Sequence, residues 1–529
     1  MELSLKKLSQ GHLKPNNVTF QYGTAGFRMK ASLLDYVVFT TGILAALRSK
    51  YLQGKTIGIM ITASHNPPED NGVKLVDPMG EMLAQTWEAH ATTLANTSSI
   101  EALIDEIIKI VDLFEIDLKT QSSVFIARDS RESGPALLKS TIDGLNVFDS
   151  AIRDFGLLTT PQLHYLVRAG NSNGSFGHPS SEGYYAKLSI AFKQIYKING
   201  LNNKISIIVD AANGIGAPKV QELIHDNILE YFDHFLVVNN NIENPRLLNY
   251  NCGADFVKTN QKLPENIPNP EPFNLYCSFD GDADRIVFYY ITEEKHFQLL
   301  DGDKISTLLA SYFIKLIKLT GLDLSVGVVQ TAYANGASTK YLSEVLKVPV
   351  ECTPTGVKHL HHVAQNFDIG IYFEANGHGT VLFSDNLLNK VSPTSSNLSI
   401  KTLYYLTELI NQTVGDAISD CLTILLILKL LDNGPNEWNS NYQDLPNKLL
   451  KVIVNDRNLF KTTNAERTLV QPKGLQMKID EKVNQYPNGR SFVRASGTED
   501  AVRVYAEAAT KDDSIALADQ VAELVKEFS

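Results

Sequence analysis

Cysteine is scarce in this chain of 529 residues. Cys252, Cys277, Cys352 and Cys421 are far apart, form no Cys-x-x-Cys pair and match no zinc-finger spacing. That excludes a disulfide-stapled scaffold and a cysteine-built metal fold. Positive charge is in deficit as well, with 48 Lys and Arg against 59 Asp and Glu, a formal −11. A general nucleic-acid surface, or one for acidic lipid headgroups, is therefore not expected. Long apolar runs are also missing: the most hydrophobic stretch, Cys421 to Leu431, is too short to span a bilayer and carries Lys429. The opening MELSLKKLSQGHLKPNN has no apolar core of the kind a secretory leader needs. The expectation is a cytosolic protein with buried, reduced thiols, no membrane, and no obligate protein partner.

What is present is an ordinary globular composition, 43% hydrophobic and 20% charged, in a chain long enough for three or four domains. Apolar runs that end in glycine-rich turns and continue into amphipathic stretches recur along it. Lys55–Thr62, Val124–Ala127, Ile205–Asp210 and Ser325–Gln330 read as buried strands. The order strand, glycine turn, helix is that of α/β units around mostly parallel sheets. After two helical stretches (395–431), an Asn-, Pro- and Gly-bearing linker near 432–444 leads to a smaller α+β unit that ends in a helix, 513–528.

Four polar loops follow strands. In Thr62–Pro68 (TASHNPP), Ser64 stands where a strand ends in a turn fixed by Asn66-Pro67, so its hydroxyl should be held out rather than packed. Alone this reads equally as a turn serine, and no Gly-x-Ser-x-Gly elbow marks a hydrolase nucleophile. In the second loop, Asp280, Asp282 and Asp284 occupy alternate positions before Arg285. On an extended loop such carboxylates project to one side and raise one another's pKa. A hard divalent cation such as Mg²⁺ is their natural partner. An EF-hand is excluded, because its required Gly and Glu are here Arg285 and Ile291.

The third loop, FEANGHGT (373–380), presents Glu374, Asn376 and His378 between two apolar strands. Those groups suit sugar hydroxyls or an amide, although Asn-Gly also tips plain hairpins. The fourth combines Arg494, Ser496, Gly497 and Thr498 with Arg503 on the strand beyond. Two forked cations and a small hydroxyl-rich loop make a phosphate clamp. Arg28, Arg128, Arg131 and Lys358 at other strand ends supply the local positive potential that an acidic protein needs to hold a phosphorylated anion.

In this order and at these separations, TASHNPPEDNGVKLVDPMGEML (62–83), FDGDADR (279–285), FEANGHG (373–379) and RASGTEDAVRVYAEA (494–508) resemble the motifs of the α-D-phosphohexomutase superfamily. The resemblance covers essentially the whole chain, and is to the fungal-looking eukaryotic branch that acts on an acetylated amino sugar. It implies a four-domain, heart-shaped α/β architecture around a central cleft. Three mixed-sheet domains would span 1–175, 176–296 and 297–435, and a C-terminal α+β domain 436–529.

The resemblance also implies roles. Ser64 resembles the phosphoserine, and Asp280, Asp282 and Asp284 resemble the Mg²⁺ ligands, with the Ser64 phosphate completing the shell. Arg285 resembles the arginine facing that phosphate. Glu374, Ala375, Asn376 and His378 look like the sugar loop, the small Ala375 and the amide of Asn376 leaving room and a partner for an N-acetyl group. Arg494, Ala495, Ser496, Gly497, Thr498 and Arg503 look like the clamp for the non-reacting phosphate. His65, Arg28 and Lys358 remain candidates for the general base. The implied reaction interconverts N-acetylglucosamine 6-phosphate and 1-phosphate through a sugar 1,6-bisphosphate, feeding UDP-N-acetylglucosamine synthesis. A phosphoglucomutase or phosphomannomutase, a non-catalytic sugar-phosphate scaffold and a metal-dependent phosphatase are the rivals. The Glu-Ala-Asn-Gly-His-Gly loop and the intact loop positions argue against the first two, and release of inorganic phosphate would mark the third.

Overall fold

A computed structural model describes residues 2–24, 26–496 and 500–529, in two compact units. The first, 1–299 with 401–430, contains two five-stranded sheets. One is built from β1 (Phe27–Lys30), β2 (Thr56–Ile61), β3 (Asp70–Val76), β4 (Ser123–Arg128) and β5 (Ala151–Leu157), in spatial order β1-β3-β2-β4-β5. The other holds β6 (Ile205–Asp210), β7 (Phe232–Val238), β8 (Tyr276–Phe279), β9 (Ile286–Ile291) and β10 (Phe297–Leu300), in order β10-β9-β8-β6-β7. The second unit, 300–400 with 431–529, has β11 (Val326–Thr331), β12 (Val350–Thr353), β13 (Ile369–Phe373) and β14 (Gly379–Phe383), in order β12-β11-β13-β14. It also has a two-stranded hairpin, β16 (Lys461–Thr463) with β17 (Thr468–Gln471). An antiparallel sheet in order β15-β19-β18 completes it, from β15 (Asn447–Ile453), β18 (Arg490–Ala495) and β19 (Ala501–Glu507).

One connection recurs in the three mixed sheets and places their loops. Runs such as TIGIMI in β2 cannot alternate between core and water, and so must be covered on both faces. Every residue of β2, β8 and β13 is buried. Each of these strands has a parallel neighbour on one side (β4, β6, β11) and an antiparallel neighbour on the other (β3, β9, β14). The chain turns directly from the parallel core into the antiparallel strand, and each turn is one of the first three polar loops.

The helix Ala417–Leu431 accounts for the most apolar stretch of the sequence. Twelve of its fifteen residues are buried, so its hydrophobicity faces protein all round. Its start meets the second loop, with the Ala417 N–H donating to the Ala283 carbonyl at 3.0 Å. The segment expected to be a linker is packed instead. Pro435–Asn439 forms a short helix whose Trp438 is fully buried and donates from Nε1 to the Lys304 carbonyl at 3.0 Å. An indole of that size gains more from burial than a Gly- and Asn-rich chain loses by ordering. Among the described residues, no helix is long and apolar enough to cross a membrane.

Candidate active site

Ser64 follows β2 in a left-handed backbone conformation, φ +52°, which costs a non-glycine residue on the order of 1 kcal/mol. Its N–H donates to Thr62 Oγ1 at 3.0 Å, and Thr62 donates to Asp129 Oδ2 at 2.7 Å. The Ser64 carbonyl accepts from Arg131 Nη2 at 2.9 Å and from Asn249 Nδ2 at 3.0 Å. The hydroxyl is not held out as expected. Ser64 is fully buried, and Oγ donates to Asp280 Oδ2 at 2.5 Å with Asp284 Oδ1 at 3.4 Å. The loop between β8 and β9, more than two hundred residues away in sequence, covers it.

That second loop is a turn rather than an extended segment, with Ala283 at φ +57°. The turn gathers the three carboxylates so that one oxygen from each lies within 4.8 Å of the others. Gly281 is required by close approach, since a Cβ there would meet the Ser64 carbonyl at 2.6 Å. Asp280 Oδ1 accepts the N–H groups of Asp284 (3.0 Å) and Arg285 (3.1 Å). Asp282 Oδ2 accepts from Thr160 Oγ1 at 2.6 Å and faces Lys74 Nζ at 3.5 Å, while Lys74 also reaches Asp284 Oδ2 at 3.3 Å. Asp282 Oδ1 is buried and has no hydrogen-bond partner. Burial, and then the charges of Asp284 and Asp282, push the Asp280 carboxyl well above the usual range. Three buried hard-oxygen donors, one of them unmatched, fit Mg²⁺.

Cations border this cluster. Arg285 Nη1 grips both oxygens of Asp255 (3.0 and 3.2 Å), and its Nε lies 3.9 Å from Asp280 and from Asp284. Arg28 is held below its ordinary basicity by burial and by the charge of Arg285, and its buried Nε has no partner. His65 Nδ1 lies 4.0 Å from Asp255. Burial and the Arg285 charge push its pKa down to about 4, so the imidazole is neutral at pH 7. Ser64, His65, Arg28, Arg285 and the three aspartates therefore all belong to the first unit. Lys74 and Thr160 join them. Sequence reasoning passed over both, for Lys74 reads as one more strand lysine and Thr160 as a helix-start threonine; only contact with Asp282 distinguishes them.

The second unit holds the other two loops. Between β13 and β14 the Glu374 N–H donates to the His378 carbonyl (2.9 Å), and Asn376 Oδ1 accepts the His378 N–H (3.0 Å). Glu374 Oε2 accepts from Asn376 Nδ2 at 3.3 Å, and Oε1 from the Gly356 N–H at 3.1 Å. Ala375 is at the tip of this turn, and a Cβ on Gly302 would overlap the Glu374 carbonyl. Lys358 is the second residue of the helix Val357–Ala364, which opens beside Gly356. In the antiparallel sheet, Arg494 and Arg503 face each other across β18 and β19, and Lys451 on β15 is the partner of Arg503 on the other side. Like charges in register repel, so this row of cations is suited to an anion. Arg494 Nε donates to Glu466 Oε1 at 2.7 Å, and that carboxylate makes Arg494 more basic despite the opposing effect of burial. Ala495 ends β18, and the Ser496 N–H closes the loop onto the Ala501 carbonyl at 2.8 Å. Gly497 and Thr498 lie outside the described residues.

Comparison with known proteins places matches along most of the chain. Residues 301–433 and 178–287 match the models "Phosphoacetylglucosamine mutase AMG1, domain III" and "domain II". Residues 24–100 and 96–177 match the α/β/α domain I of phosphoglucomutase/phosphomannomutase, and 449–524 match its C-terminal domain. The phosphoacetylglucosamine mutase of Candida albicans is 57% identical over 99% of this chain and 100% of its own length. The chain belongs to the phosphoacetylglucosamine mutase family. Within the α-D-phosphohexomutase superfamily, a crystal structure of an N-acetylglucosamine-phosphate mutase in a substrate complex is 58% identical. It covers 99% of each chain with a TM-score of 0.96. An Aspergillus fumigatus N-acetylphosphoglucosamine mutase, 48% identical over 99% of this chain and 98% of its own, with a TM-score of 0.93, has been solved with GlcNAc-6P and magnesium. A variant of it has been solved with glucose 1,6-bisphosphate.

Proposed function

We propose that this chain is an isomerase that interconverts N-acetylglucosamine 6-phosphate and N-acetylglucosamine 1-phosphate, with Ser64 carrying the phosphoryl group. The observation that carries this reading is the Ser64 hydroxyl, 2.5 Å from the first of three clustered buried carboxylates. Phospho-Ser64 donates its phosphoryl group to the free sugar hydroxyl, giving the 1,6-bisphosphate and a free serine. The bisphosphate turns around, and Ser64 takes the other phosphoryl group back, so atoms and charge balance over the cycle. Mg²⁺, held by Asp280, Asp282 and Asp284, would neutralise charge on the group in transfer. Arg285 and Arg28 add fixed positive charge to the same first-unit cluster.

The attacking hydroxyl must lose a proton. His65, kept neutral, presents an unprotonated imidazole nitrogen to this cluster. Lys358 and Arg28 remain the other candidates for the base. In the second unit, Glu374, Asn376 and His378 would bind the sugar, with Ala375 leaving room for the acetyl group. Arg494, Ala495, Ser496, Gly497, Thr498 and Arg503 would hold the phosphate that is not reacting. The substrates are soluble sugar phosphates, and we assign the enzyme to the cytosol, where nucleotide sugars are made.

Mass spectrometry tests the central step. After incubation with glucose 1,6-bisphosphate, the protein should carry one phosphoryl group, on Ser64. Ser64→Ala should lose turnover by roughly 10⁴-fold or more, as removal of a covalent nucleophile does. Phosphate on a different residue, or wild-type turnover by Ser64→Ala, refutes the assignment.

A further inference from the structure

The sequence placed Arg131 among cations available to a phosphate. In the structure its side chain is committed elsewhere. Arg131 is 1% exposed, and every N–H of its guanidinium is used. Nε donates to Asp129 Oδ2 (3.1 Å), Nη1 to the carbonyls of Pro67 (2.7 Å) and Asp70 (2.8 Å), and Nη2 to the carbonyls of Ser64 (2.9 Å) and Asn66 (2.8 Å). No donor is left for a ligand. Four carbonyls of one seven-residue loop converge on one planar fork, a geometry that lysine cannot reproduce.

Asp129 closes the arrangement. Its Oδ1 accepts the Arg131 N–H at 3.0 Å, and its Oδ2 accepts Thr62 Oγ1, which in turn receives the Ser64 N–H. Both backbone polar groups of Ser64 are therefore tied to one buried ion pair, the N–H through Thr62 and the carbonyl directly. Ser64 has the left-handed φ that an untethered loop would relax. We infer that Arg131 and Asp129 are positioning residues for phosphoryl transfer: they hold the Ser64 loop in its strained conformation and so fix the place of Oγ. This rests on the reading of Ser64 as the phosphoserine. It predicts damage to the chemical step, because a displaced Oγ misaligns in-line transfer, while groups that bind the sugar and the distal phosphate are untouched.

Arg131→Lys and Thr62→Val test this, with Ser64→Ala as the control. Thermal melting, kcat and KM for N-acetylglucosamine 6-phosphate, and Ser64 phosphorylation after glucose 1,6-bisphosphate are measured on each. The expected result is a single folded transition, a kcat lower by on the order of a hundredfold, and a KM within about threefold of wild type. Phosphoryl transfer onto Ser64 should slow in parallel. Wild-type kcat in a folded Arg131→Lys, or a loss matching only the fraction unfolded, overturns the inference. If Arg131→Lys does not fold, Thr62→Val decides by the same split, a lowered kcat supporting the tether and an unchanged kcat refuting it. An active Ser64→Ala would instead sink the reading of Ser64, and the tether with it. An inactive Ser64→Ala beside a fully active Arg131→Lys would sink the tether alone.

Discussion

Asp282 concentrates the chemistry of the first unit in one side chain. One oxygen is shared between the Thr160 hydroxyl and the Lys74 ammonium, and the other is buried without a partner. A buried carboxylate oxygen left unmatched is costly unless something of positive charge meets it, and Mg²⁺ is the ion its neighbours fit. Asp282→Asn keeps the shape and removes the charge. The Mg²⁺ concentration for half-maximal turnover should rise at least about tenfold, with the melting temperature little changed. An unaltered Mg²⁺ titration would count against the metal loop. At this scale the sequence was legible for residue types and poorly legible for their surroundings. Ser64 and the three aspartates were visible because small residues between polar ones leave little to pack. The burial of Ser64 was not, because the segment covering it comes from a different sheet. Arg131 looked like a phosphate ligand for the same reason: its acceptors are backbone carbonyls, which leave no mark in a sequence.

The repeated element is a buried parallel strand that turns straight into an antiparallel neighbour, seen at β2–β3, β8–β9 and β13–β14. Continuous apolar runs followed by polar turns made these strands readable, whereas short edge strands such as β1 and β12 have too few residues to show a period. The fourth loop joins β18 to β19, where Arg494 and Arg503 are cross-strand partners. Arg503→Ala removes one donor of that pair without opening the sheet. Loss of a charge-assisted contact of about 1.5–3 kcal/mol should raise KM by roughly ten- to a hundredfold, with kcat changing less. An unaltered KM removes Arg503 from the clamp.

A pH effect belongs to a different element. His12, just after the turn Ser9–Gly11, joins the helix Asp35–Tyr51 through Asp35 Oδ2 (2.9 Å) and approaches Asp143 Oδ2 (3.4 Å) on the helix Gly134–Asn146. The hydrogen bond with Asp35 raises its pKa above the ordinary 6.5, against the opposing effect of partial burial. A raised pKa means that the folded state binds the proton more tightly than the unfolded chain. The stabilisation is therefore complete below 6.5 and is lost as pH rises through the higher folded value. Melting followed across that window should show wild type losing stability relative to His12→Gln. Parallel curves for the two proteins would refute this role for His12.

At the scale of the whole molecule, an acidic chain of −11 still sets Arg28, Arg285 and Lys74 beside its buried carboxylates, and Arg494 beside Arg503. The first unit holds Ser64 and the three clustered carboxylates, and the second holds the loop between β13 and β14 and the paired Arg494 and Arg503. A mutase must hold one end of the sugar while the other reacts, and the two ends then exchange. The sequence shows the order of the four loops, while their division between two units, with the segment 401–430 packed into the first, had to be seen. The most direct measurement follows N-acetylglucosamine 6-phosphate by ³¹P NMR, with Mg²⁺ and a trace of sugar bisphosphate, and glucose 6-phosphate in parallel. The account predicts a sugar 1-phosphate signal that grows faster from the acetylated substrate. Faster conversion of glucose 6-phosphate would contradict the reading of Ala375-Asn376, and no conversion of either sugar by folded, phosphorylated protein would contradict the mutase itself.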